Sequence, residues 1–127
     1  MFNIVPDKER AKSLLREADS RIKELHKIRR FISTSRVVEF YFDCIKELIL
    51  ALMYIEGIKS LSHKELIEFV EKYLDSEESA VLNELRIKGN EVSYYGKEIS
   101  TCFFIQKEDI LKKIIKKLKE LIKKELR

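Results

Sequence analysis

The stretch KEDILKKIIKKLKELIKKEL, residues 107–126, decides the fold class. Ile110, Leu111, Ile114, Ile115, Leu118, Leu121 and Ile122 recur at steps of three and four, the spacing that brings side chains onto one face of an α-helix. Lysine occupies most of the remaining positions. The period-two alternation of a half-buried strand is absent. Such a helix has one aliphatic face to bury, and the nearest way to bury it is against other helices.

Upstream, the ISTCFFI segment (99–105) reads either as a short extended piece or as the first turn and a half of the same helix, capped by Ser100 or Thr101. The helical reading is preferred, because a lone strand in a helical chain has nothing to pair with. Asp75-Ser76 opens a helix carrying Val81, Leu82, Leu85 and Val92 inward and closing at Tyr94-Tyr95-Gly96. Gly89 within it points to close approach of another backbone. Ser62 followed by Glu65 has the spacing of a capping box before Leu66, Phe69, Val70 and Tyr73, giving a short helix over 62–74. Residues 36–56 are apolar nearly all round, so that helix is central in the bundle or also forms an oligomer interface, and Gly57 is its C-cap. Ser33-Thr34-Ser35 separates it from a first helix running from Pro6 or Asp7 to Phe31, with Ala11, Leu14, Leu15, Ala18, Ile22, Leu25 and Ile32 on one stripe. The sum is an all-α protein: a single domain over residues 1–127, folded as an antiparallel, up-and-down bundle of four or five helices.

Composition agrees. Three Gly and one Pro leave little turn punctuation, and a charged share of 38% stands well above the usual quarter. One Gln and three Asn against abundant Lys and Glu is the bias of proteins from hot environments, a thermophile signature that helicity alone also produces. Cys44 and Cys102 have no metal-ligand or redox spacing, so neither a metal nor another cofactor is implied. The apolar run 44–55 is broken by Lys46 and Glu47 and is too short for a bilayer, and the N-terminus lacks the pattern of a secretion signal. A reducing cytoplasm, away from membranes, is the expected location.

The positive charge is uneven. Residues 107–127 hold nine cations and four acids, a balance of +5 against +4 for the whole chain, so the rest comes to −1. Lys112, Lys113, Lys116, Lys117, Lys123 and Lys124 form a basic face that either meets phosphates or is simply solvated near a helix C-terminus.

The segment LRIKGNEVSYYG (85–96), with GIKSLSHKELIEF (57–69) before it, resembles archaeal members of the HEPN superfamily, in which a helix ends in a pattern like LRxxRNxxxYYG. The resemblance implies a helical bundle that often dimerises, with a site on the motif helix. Many such proteins look like metal-independent ribonucleases, built on an Arg followed by a His, and several are toxins paired with a nucleotidyltransferase antitoxin. In that chemistry Arg stabilises phosphate charge and His moves the proton of the attacking 2′-hydroxyl.

Two positions depart from the pattern. Gly89 stands where an Arg is expected, and Ser93 or Tyr94 where the His would lie. Arg86, Asn90, Ser93 and Tyr94 still share a helix face, with Tyr95 beside them, as a ligand-binding cluster without a catalytic residue of its own. The bland alternative has Arg86 paired with an acid such as Glu84, Asn90 satisfying backbone groups at the helix end, and the tyrosines covering the end of the bundle. His63 reads as a surface residue beside its cap and His26 as a boundary residue. Three functions follow: a HEPN-like interaction module, homodimeric, binding RNA, a nucleotide or a nucleotidyltransferase-type partner; an active ribonuclease toxin using Arg86 with Tyr94, Tyr95 or His63; or a structural helical subunit without ligand.

Overall fold

The computed structural model describes residues 1–127. Five helices account for most of the chain: α1 (Lys8–Ile28), α2 (Thr34–Glu56), α3 (His63–Val70), α4 (Ser76–Tyr95) and α5 (Thr101–Glu125). Each begins at a side chain that accepts a hydrogen bond from an otherwise unpaired backbone N–H: Asp7, Ser33, Ser62, Asp75 and Ser100. The ISTCFFI segment is helical from Thr101 onward, as preferred from the sequence. The first helix ends three residues earlier than expected and tightens into a 3₁₀ turn at Arg29–Phe31. A second such turn, Glu71–Tyr73, follows α3.

The capping boxes are distributed differently from the sequence reading. At α3 the Ser62 hydroxyl accepts from the Glu65 N–H, but the Glu65 carboxylate reaches back to the N–H of Leu61, one residue before the cap. The complete reciprocal box is at α4, where Asp75 accepts from the Glu78 N–H and Glu78 from the Asp75 N–H.

A small sheet was not legible in the sequence. Phe2–Asn3 (β1) pairs antiparallel with Ile58–Lys59 (β2), Phe2 opposite Lys59. Below it the Ile4 N–H donates to the Gly57 carbonyl and the Asp7 N–H to that of Tyr54. The N-terminal residues thus form a strap over the end of α2. Gly57 is the residue this arrangement needs: its φ is +74°, and a Cβ there would stand 2.7 Å from the Ile4 carbonyl oxygen.

α2 packs against each of the other four helices. Its Tyr41, Cys44, Ile45, Leu48, Ile49, Ala51, Leu52 and Met53 belong to one core cluster of 28 buried residues. No large hydrophobic side chain of α2 is left exposed. Most of its apolar circumference is covered within one chain, with Phe40, Phe42, Leu50, Tyr54 and Ile55 left partly buried.

Polar links show how the long helices run past one another. Along α1 and α2 the numbers run oppositely, from the Asp7–Tyr54 hydrogen bond to the Cys44 thiol donating to the Ala18 carbonyl and Arg21 pairing with Glu47. Between α4 and α5 they also run oppositely, with Glu78 bonded to Lys117 and Lys88 lying 5.5 Å from the centre of the Phe103 ring. Along α2 and α5 they rise together, Thr34 meeting Thr101 and Tyr41 meeting Glu108.

Candidate functional site

The first turn of α3, the outer arc of α4 and the N-terminal half of α2 enclose a groove of about 310 Å³. From α4 it receives Arg86, Gly89, Asn90 and Ser93, and from α3 His63. The helical spacing that groups Arg86, Asn90 and Ser93 thus places them in one recess. Tyr94 and Tyr95 are not among its lining residues: they are 78% and 76% exposed and do not cover the bundle end. They stand seven and eight residues after Ile87, which is also exposed.

Arg86 has no acid partner. Its Nε and Nη2 donate to the side-chain oxygen of Asn83 at 3.2 and 3.0 Å, so a neutral amide orients the guanidinium, which makes no ion pair within 4 Å. Pairing with Glu84, one of the sequence alternatives, does not occur. Nor does Asn90 satisfy the helix end: that work is done by Gly96, whose left-handed backbone carries its N–H to the carbonyls of Glu91 and Val92. The close backbone approach read from Gly89 is also absent, since a Cβ there would meet nothing within 4 Å. Gly89 leaves open space on the groove wall instead.

His63 reaches the groove because the Ser62 cap turns the chain there, and its ring meets Phe42 edge-on at 5.9 Å. The sequence offered this histidine as a cap neighbour; only the packing of α3 beside α4 brings it into the groove that Arg86 also lines. Sequence reasoning missed Glu39 and Asp43, which form the α2 wall. Their spacing of four, on one face of a largely apolar helix, was the available signal. Glu39 lies 3.7 Å from Arg36, and Asp43 lies 3.6 Å from Lys46 and 3.8 Å from Arg21, so both are partly neutralised. A guanidinium, an amide, a hydroxyl and an imidazole therefore converge on one recess whose carboxylates already have partners. That set can hold a polar, anionic group at Arg86 and can move a proton at His63.

The α5 lysines divide into two kinds. Lys117 bonds the Glu78 carboxylate, buried at the start of α4, and Lys119, outside the expected set, pairs with Asp19 of α1. Lys112 stands 3.9 Å from Glu108. Lys113, Lys116, Lys123 and Lys124 are exposed and make no ion pair within 4 Å. No group of three or more His, Cys, Asp or Glu side chains is arranged to hold a metal ion, and no helix is long and apolar enough to cross a membrane.

Compared with known proteins, the chain matches no family model and none of the curated proteins.

Proposed function

We propose that this chain is a HEPN-like helical domain that binds RNA or a nucleotide in the cytoplasm. In this reading α1, α2, α4 and α5 form an antiparallel, up-and-down bundle, with α3 a short connection. The observation that carries the reading is Arg86: it is oriented by the Asn83 amide, unpaired with any acid, and shares its groove with Asn90 and Ser93. A buried or partnered Arg would have no charge left to offer a phosphate. Filter binding of single-stranded RNA over a salt series tests this. Affinity should fall with salt and fall further in Arg86→Ala; binding indifferent to both would remove the nucleic-acid reading.

A second reading, a metal-independent ribonuclease, draws support from His63 lining the groove with Arg86. Imidazole is the side chain suited to general acid–base work near neutral pH. Incubation with structured and single-stranded RNA decides it: cleavage lost in Arg86→Ala and His63→Ala supports catalysis, and cleavage absent or unchanged ends it.

A homodimer, or a complex with a nucleotidyltransferase-type partner, would use the exposed Ile87, Tyr94 and Tyr95 of α4 rather than α2. Light scattering should then show a mass that rises with concentration and reverts to monomer in a Tyr94→Ser, Tyr95→Ser variant. A monomer at every concentration leaves only the heterologous partner.

A further inference from the structure

A second recess, of about 650 Å³, opens where α1 stops and α2 and α5 begin. His26, Lys27, Arg29 and Arg30 form one wall, Thr34 and Thr101 supply hydroxyls, and no carboxylate lines it. Its size suits a small ligand or a nucleotide unit.

The four basic residues do not have equal roles. Arg29 is consumed internally: its guanidinium bonds both oxygens of Glu108, the Tyr41 hydroxyl donates to the same carboxylate, and the Phe104 ring lies beneath it at 5.4 Å. Arg29 therefore fixes the wall and does not serve a ligand. Lys27 and Arg30 are exposed and make no ion pair within 4 Å. The Thr34 and Thr101 hydroxyls lie 2.9 Å apart. Only one hydrogen can occupy the bond between them, so the other is free to donate into the recess. Phe31, between the lining residues Arg30 and Ile32 in sequence, is 73% exposed, with the Arg30 guanidinium 5.0 Å from its ring centre.

Two free cations, a spare hydroxyl donor and an exposed ring, with no acid facing them, make a combination suited to one ligand chemistry. We infer that this recess binds a phosphate group of single-stranded RNA, with Lys27 and Arg30 on the phosphate, the threonine pair donating to it, and the adjacent base against Phe31. Lysine and arginine neutralise phosphates sequence-independently, and aromatic rings accept any base by stacking. An anionic lipid surface would find exposed apolar residues here too, Phe31 and Ile105. The polar donors, however, sit inside a concavity, which suits a protruding phosphate better than a flat bilayer.

The inference rests on the nucleic-acid reading above but uses none of its residues. Adjacent positions on α2 separate the two sites, Val38 lining the Arg86 groove and Val37 this recess, so one strand could engage both at the same end of the molecule.

Fluorescence anisotropy with a labelled 12-nucleotide RNA, carrying either a 5′-phosphate or a 5′-hydroxyl, tests the assignment in the full chain. Lys27→Gln with Arg30→Gln should weaken binding at least fivefold. It should also make the slope of log affinity against log salt shallower by about 0.7, the value for one neutralised single-strand phosphate. Phe31→Ala should weaken binding without changing that slope. All three substituted side chains are exposed, so unchanged melting temperatures would show that the loss is local. A preference for the 5′-phosphate would identify a terminal monoester, and equal binding of both RNAs an internal diester; either supports the site. RNA binding that survives Lys27→Gln/Arg30→Gln but is lost in Arg86→Ala overturns the recess and leaves the groove standing. Loss in the recess variant with Arg86→Ala unaffected supports the recess and overturns the groove. No RNA binding by the unaltered protein overturns both, as would capture only by phosphatidylcholine vesicles containing phosphatidylglycerol.

Discussion

Two glycines make opposite demands on the backbone, and they should respond oppositely to the same substitution. Gly57 has a φ of +74° and lies under the Ile4 carbonyl, so an added methyl meets both a disfavoured conformation and a backbone atom. Gly57→Ala should destabilise by about 1–3 kcal/mol, the range of locally stored backbone strain. Gly89 sits inside α4 with open space around its missing side chain. Gly89→Ala should stabilise by about 0.5–1 kcal/mol through helix propensity, while keeping the groove open. Urea denaturation of the two variants checks both signs. Residue type told half of this story: the sequence marked Gly57 as a helix terminator and Gly89 as an interruption. The strap over Gly57 and the empty space at Gly89 depend on segments far away in the chain, which no local pattern encodes.

At the scale of elements, a single carboxylate ties three helices together. Glu108 of α5 receives the Arg29 guanidinium from the end of α1 and the Tyr41 hydroxyl from α2. The Arg29 hydrogen bonds and then that of Tyr41 hold its carboxyl down to about 2, below its ordinary 4.5, against the opposing effect of burial. A lowered folded-state value means the stabilisation is present above pH 4.5 and is lost as the pH falls towards 2. Glu108→Gln should therefore cost about 1–2 kcal/mol at pH 7, allowing for solvent screening, and should flatten the acid side of the stability profile. Urea midpoints between pH 7 and 2.5 measure this; parallel profiles for the variant and the parent would refute it. Glu47 acts in the opposite sense, because burial raises its carboxyl despite the Arg21 contact, so its contribution is lost as pH rises. Taking the difference between variant and parent isolates Glu108 from that background. A second clamp fixes the connection into α5: the buried Ser35 hydroxyl accepts from the Ile99 N–H and donates to Glu98. The helices themselves were readable from spacing and caps, whereas these cross-links were not, since Arg29, Tyr41 and Glu108 are 67 and 79 residues apart in their bonded pairs.

For the molecule as a whole, the two cysteines report on the integrity of the fold. Cys44 is fully buried in α2, donates to the Ala18 carbonyl, and its thiol is pushed up to about 12 by burial. Cys102 is exposed in the first turn of α5. The thiolate is the reactive form, so burial protects Cys44 twice, by access and by protonation. A thiol reagent at pH 8 should therefore label one site rapidly and the second only at the rate of global unfolding; rapid labelling of both would show that the bundle opens around α2. The core around Cys44 also shows where most of this highly apolar helix is buried: four neighbouring helices pack against it. The excess positive charge on α5 likewise separates into internal clamps, Lys117 and Lys119, and a free face.

By itself the sequence determined the all-α class and the capped starts of most helices, but not the ends of α1 and α3, because hydrophobic spacing, capping side chains and left-handed glycines act within a few residues. It also marked Arg86, Asn90 and Ser93 as one face, since helical geometry relates them directly. Tertiary structure alone decided that His63, Glu39 and Asp43 join them, that Tyr94 and Tyr95 do not line the groove, and that α2 is sheltered. It alone assembled the cationic recess from the end of one helix and the beginnings of two others. The physical reason is range: local signals act over one or two helical turns, whereas a site gathers side chains whose proximity is set by packing the whole core.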